Sequence, residues 1–198
     1  MKTANSFNTR KIVLLALLTA IVVVLQILAI LTRPLFPAFS ISLVLMPIVV
    51  GAALTGVYAG GWLGLAFGFA VLLSGDAAPF MAVSPLGTLL VVLAKGALAG
   101  LAAGAAYRLI EKKSRTIAAI IAAFVCPVVN TGVFIIGSYV FFLPTLKDWG
   151  AAIGFDNATA YIFLVLVGVN FLIEFGLNLI LSPVIVRLIQ YGQDRRTA

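Results

Sequence analysis

From Ile12 to Leu31 the chain runs through twenty consecutive residues of which only Thr19 and Gln26 are polar. Wound as a helix at 1.5 Å per residue, this stretch is about 30 Å long, the thickness of a bilayer's hydrocarbon core. A helix that is apolar on every side has no face to offer water, so it belongs in the centre of a large protein or in lipid. Composition decides between them. The 198 residues are 63% hydrophobic and 10% charged, with a mean hydropathy of +1.22; soluble domains are about 45–50% apolar and about 25% charged. The apolar residues suffice for roughly six spans of about 20 residues each, with no room for a separate soluble domain. Arg10 and Lys11 before the first stretch imitate a signal peptide, but twenty apolar residues exceed the usual core of about 7–15. The chain reads as an all-α integral membrane protein, and the first stretch as a retained helix.

Five further spans follow. Ile41–Leu54 is short and carries Pro47, and a tight turn at Thr55-Gly56-Val57 leads to Tyr58–Leu73. Pro85–Leu109, Ile117–Phe142 and Ala158–Ile189 complete a six-helix bundle, with loops at Ser74–Ser84 and Leu143–Asn157 and a polar tail from Gln190 to Ala198; the short second and third spans leave five crossings or a re-entrant pair open as alternatives. The net charge of +7 is distributed as this layout requires. Lys2, Arg10 and Lys11, then Arg108, Lys112, Lys113 and Arg115, then Arg187, Arg195 and Arg196 fall on one side, against Arg33 and Lys147 on the other. The positive-inside bias makes the first side cytoplasmic, with both termini on it. Nucleic acid is not an expected partner, because a basic stripe for it needs a soluble face. Membrane lipid is.

Gly60, Gly64 and Gly68, and likewise Gly96, Gly100 and Gly104, recur every four residues. Such spacing puts small residues on one helix face and lets backbones approach closely. Ala16 and Ala20 form a weaker pattern of the same kind on the first span.

Lys95 lies ten residues from Pro85 and thirteen from Arg108, roughly 15 and 20 Å from the span ends. An ionisable group at the bilayer centre costs at least about 2.5–3.5 kcal/mol. Glu174 is similarly deep, and Asn170, Glu174 and Asn178 share one stripe of the last span. Asn130, Phe134 and Ser138 form a comparable stripe on the fifth. The candidate binding residues are therefore Lys95, Asn130, Ser138, Asn170, Glu174 and Asn178. Two readings remain open: a Lys95–Glu174 pair that only ties helices together, or a polar pocket open to the outside, suited to a small polar or zwitterionic molecule.

Catalysis finds no support. The chain has no histidine, one cysteine (Cys126) and none of the nucleophile-elbow, zinc-protease or Walker patterns. No cofactor or metal is expected, and any ATPase that powers transport must be another chain.

Four stretches carry a family likeness: Ala16-x-x-x-Ala20; Leu45 to Gly56 followed by Gly60, Gly64, Phe67 and Gly68; Lys95 to Gly104 with Tyr107 before the basic loop; and Pro127-Val-Val-Asn130-Thr-Gly132 with Gly137 beyond. In these the chain resembles the substrate-binding S components of energy-coupling factor (ECF) vitamin transporters, across residues 10 to 190. The resemblance implies a small vitamin-like ligand held in the outer half of the last three spans, under the loops joining spans one to two and three to four. It also implies a transmembrane coupling protein docking on Ala16 and Ala20, two ATPases, toppling of the subunit to deliver its cargo, and residence in the plasma membrane. The glycine pattern is nearest the broad pantothenate, folate and cobalamin group. Pantothenate is the first expectation, with Lys95 meeting its carboxylate and the amides its hydroxyls. The competing class is a scaffold subunit of the rod-shape-determining type, in which Lys95 and Glu174 are structural.

Overall fold

The computed structural model describes residues 9–32 and 43–197, and among them every regular element is a helix. These are α1 (Thr9–Thr32), α2 (Leu45–Thr55), α3 (Val57–Leu73), α4 (Ala78–Val83), α5 (Pro85–Ile110) and α6 (Arg115–Gly137). A π-helical segment, Ser138–Phe142, then joins α6 to α7 (Leu143–Ala151). In the same way α8 (Ala158–Tyr161) passes through π-helical Ile162–Gly168 into α9 (Val169–Thr197). Among the described residues, four helices are long and apolar enough to cross a membrane: Lys11–Leu31, Pro85–Ile110, Arg115–Ala151 and Ala158–Asn178. At 1.5 Å per residue α2 and α3 reach only about 17 and about 26 Å.

Sequence chemistry sets the breaks. Gly56, at φ +122°, is the single residue between α2 and α3, a conformation that side chains with a Cβ avoid. Ser84 caps α5 by accepting from Gly87 N at 3.3 Å, with Pro85 following, and Ser114 caps α6 by accepting from Ile117 N at 3.3 Å. Two segments expected to be loops are largely helical. Ser74–Ser84 contains α4, and Leu143–Asn157 contains α7. At Phe142 (φ −127°, ψ 0°) the chain leaves helical geometry. Pro144 then sits in the first turn of α7, where its missing N–H has no helical partner to lose. The expected polar tail is likewise helical as far as Thr197. The start of the expected second span, Ile41 and Ser42, lies outside the described residues, and so do Lys2 and Arg33.

Two seams position the site. Along α3 and α5 the glycines meet backbone to backbone. A Cβ on Gly64 would collide with the Gly96 carbonyl and one on Gly96 with the Gly64 carbonyl; Gly60 and Gly100 oppose each other in the same way. Along α5 and α6, running antiparallel, Gly87 faces Phe141, Val91 faces Gly137 and Lys95 faces Phe134.

The bundle has two chemically distinct ends. The Arg108 guanidinium reaches the Gly56 turn, and Gln190 Nε2 donates to Thr116 Oγ1 at 3.4 Å. These contacts gather the α2–α3 turn, the α5–α6 connection and distal α9 at one end. At the other, Phe80 of α4 meets Trp149 of α7. Helix α1 runs parallel to α3: Trp62 Nε1 donates to Thr19 Oγ1 at 3.2 Å, and Gln26 Nε2, further along, to Asp76 Oδ2 at 3.5 Å. Lys11, Arg108, Lys112, Lys113 and Arg115 thus share the first end, and Lys147 lies at the second.

Candidate functional site

Close approach of α3 to α5 brings Phe67 within reach of Lys95. The Lys95 ammonium lies 5.8 Å from the centroid of Phe67 and 5.3 Å from that of Phe134 on α6. Ring faces attract a cation by about 0.5–2 kcal/mol, more as water is excluded. That offsets part of the cost of a charge this far from the helix ends.

Phe134 sits between two buried polar groups on its own helix, Asn130 and Ser138, which are 7% and 0% exposed. Among the described residues, Asn130 Oδ1 and Ser138 Oγ have no hydrogen-bond partner. Leaving such a group unsatisfied costs about 1–3 kcal/mol. Other hydroxyls in this chain avoid that cost on their own helices: Thr19 donates to Leu15 O and Thr88 to Ser84 O, both at 2.8 Å. Ser138, at the start of the π-helical segment, does not.

That segment has a further geometric effect. Residues spaced by four drift about 40° per step around an α-helix, so a stripe of six such residues would wind about 200° around it. A π turn takes roughly one residue more per turn and reverses the drift locally. Asn130, Phe134, Ser138, Phe142, Leu146 and Gly150 are accordingly all buried or half-buried.

Above the site sits an aromatic roof. Phe80 of α4 makes edge contacts with Phe134, Phe142 and Trp149, at centroid distances of 5.7, 5.0 and 5.7 Å. Sequence reasoning missed Phe80, Trp149 and Phe67 as site residues. The signal for Phe67 was its place one turn past Gly64, facing the helix that bears Lys95.

The other expected site residues lie elsewhere. Asn178 is buried at a crevice between α6 and α9 lined by Ile120, Ala123, Phe124, Phe175 and Ser182. Phe124 precedes Asn130 by six residues, about 9 Å along α6 toward the basic end. Asn178 therefore belongs to a different level from the Asn130–Ser138 pair. The side chains of Asn170 and Glu174, and with them the expected Lys95–Glu174 pair, lie outside the described residues. Ala16 and Ala20 are exposed on α1, among exposed Ile12, Val13, Leu17 and Val24.

Apolar helices of this length, with buried Asn130 and Ser138 and half-buried Lys95 among them, define a multi-pass membrane-embedded protein. Residues 10–186 match the family described as the ECF transporter, substrate-specific component. The chain belongs to that family, whose members are transporter subunits that bind a small substrate and work with a coupling protein and ATPases. No curated protein and no solved structure matches the chain at a significant level.

Proposed function

We propose that this subunit captures a small vitamin-like carboxylate from outside the plasma membrane and holds it between α5 and α6, beneath the Phe80 roof. The observation that carries the reading is the pair of buried, unpartnered oxygens at Asn130 and Ser138, flanking the ring that faces the Lys95 ammonium. A ligand anion complements Lys95, and hydroxyl or amide donors on the ligand complement the two oxygens. Pantothenate, with a carboxylate, an amide and two hydroxyls, has that set of groups and remains the first candidate. Asn170 and Glu174 are assigned to the α9 side of the pocket from their four-residue spacing, and Asn178, in its separate crevice, is left out of it.

In this reading the chain crosses the membrane six times, α2 and α3 making the two shortest crossings. Both termini are cytoplasmic, the basic end of the bundle facing inward. Ala16 and Ala20 form the docking face for the coupling protein, which brings two ATPases. Small residues there allow close helix approach, and their exposure supports the assignment.

The test is identification of the small molecule that accompanies the protein after gentle extraction, followed by affinity measurement in detergent. Asn130→Ala is expected to weaken pantothenate binding at least tenfold while the ligand-free melting temperature changes little. An empty protein, or unaltered affinity in Asn130→Ala, would leave the polar layer as helix glue.

A further inference from the structure

We propose that the crevice between α6 and α9 holds one acyl chain of an anionic phospholipid whose headgroup rests on the basic α5–α6 connection. This site is separate from the Lys95 layer and does not depend on what the subunit carries. Two antiparallel helices build it, Gln190 meeting Thr116 at one level and Phe175 meeting Phe124 at another. Ile120 and Phe124 line it from α6 and are themselves exposed, inside one of the long apolar helices. The crevice therefore faces lipid, and lipid is what can enter it. Its open volume of about 250 Å³ falls below the roughly 300–1,000 Å³ of pockets for compact small molecules. A partner helix, about 10–12 Å across, is too thick for such a slot, whereas a single hydrocarbon chain is not. Phe124 and Phe175, edge to face with centroids 4.8 Å apart, give it a stiff aromatic wall.

Depth and charge select the lipid. Ile120 and Phe124 lie five and nine residues beyond Arg115, about 7.5 and about 13.5 Å along the helix. One leaflet supplies about 15 Å of hydrocarbon, half of the bilayer core. A lipid with its phosphate at Arg115 thus runs its chain past both residues without leaving its own leaflet. Thr116, Ile120 and Phe124, four apart, make a continuous track from the bases to the crevice. Lys112, Lys113 and Arg115 are exposed at the head of that track, and the one acid of the connection, Glu111, is half-buried. Bases clustered beside a membrane-spanning helix attract anionic headgroups. A neutral lipid would fill the slot and leave these charges without a counterpart.

Brominated lipids test this on the full chain reconstituted in vesicles. With both native tryptophans changed (Trp62→Phe, Trp149→Phe), Ile120→Trp places a fluorescent reporter at the crevice. Val184→Trp, on an exposed part of α9 that does not line the crevice, is the control. Phosphatidylglycerol with brominated chains is expected to half-quench Ile120→Trp at a mole fraction at least fivefold lower than brominated phosphatidylcholine. Phe124→Trp, which keeps an aromatic side chain at that position, should show the same preference if Ile120→Trp fails to fold. At Val184→Trp the two lipids should quench alike. Adding Lys112→Gln, Lys113→Gln and Arg115→Gln should erase the preference at the crevice. Equal quenching by the two lipids at Ile120→Trp and Phe124→Trp would overturn the proposal. So would an equal preference at Val184→Trp, the mark of general attraction to the basic end, or a preference that survives loss of the three bases.

Discussion

Lys95 faces two aromatic rings, and one substitution separates a ligand-binding role for it from a structural one. If Lys95 mainly serves an anionic ligand, Lys95→Met keeps the length and apolar stem while removing the charge. The ligand-free protein should then melt within a few degrees of the parent, with affinity for a carboxylate ligand at least tenfold weaker. If the lysine instead neutralises a buried acid, the same substitution strands that acid, at about 3–5 kcal/mol, and the melting temperature falls steeply. Lys95 and Asn130 were legible in sequence because the membrane rejects such side chains unless something rewards them. Phe80 and Trp149 were not, since aromatic residues outside the expected spans carry no such penalty. The unpartnered state of Ser138 was also hidden: a hydroxyl four residues from a carbonyl ordinarily bonds to its own helix, as Thr19 and Thr88 do.

Among the helices, the seam of α3 and α5 reverses the usual effect of a glycine substitution. In an unhindered helix alanine is better than glycine by roughly 0.5–1 kcal/mol. Gly176→Ala, with open space at its Cβ, should therefore leave the melting temperature unaltered or raise it. Gly64→Ala meets the carbonyl of Gly96, which no rotamer change can move, and overpacking of this kind costs about 1–3 kcal/mol. Its melting temperature should fall. On α1, replacing Ala16 and Ala20 together by Trp is expected to preserve ligand affinity of the isolated subunit and abolish uptake by the full transporter. Loss of both would place that face in internal packing. The glycine ladders were readable because spacing by four defines a face without knowledge of the partner. The π-helical segments were not, because the four-residue stripe they sustain also fits a short α-helix, and the excess turn shows only when the stripe runs to six residues. Helix α4 escaped for a related reason: six residues are too few to display a period.

At the scale of the bundle, the basic residues gathered at one end make orientation measurable. In a Cys126→Ala background, a cysteine at Ala152 should react with an impermeant thiol reagent in intact cells, and one at Lys113 only after lysis. The reverse pattern would invert the proposed topology. The four long apolar helices, the one-residue turn at Gly56 and the two ends were within reach of hydropathy and charge. How the helices are paired was not, because lipid-facing and helix-facing apolar residues look alike in composition. The pairing has a mechanical consequence. Where Gly60 and Gly64 touch Gly100 and Gly96, no side chains lie between the two backbones, so there are no rotamers to yield and no gap to compress. Helices α3 and α5 then move as a single plate, with the slowest amide exchange expected along their facing turns. The wall that carries Lys95 is thus the fixed jaw of the proposed site. Any widening to admit a molecule has to come from the other jaw, where α6 bears a proline at 127 and a π-helical segment in place of a ladder of glycines.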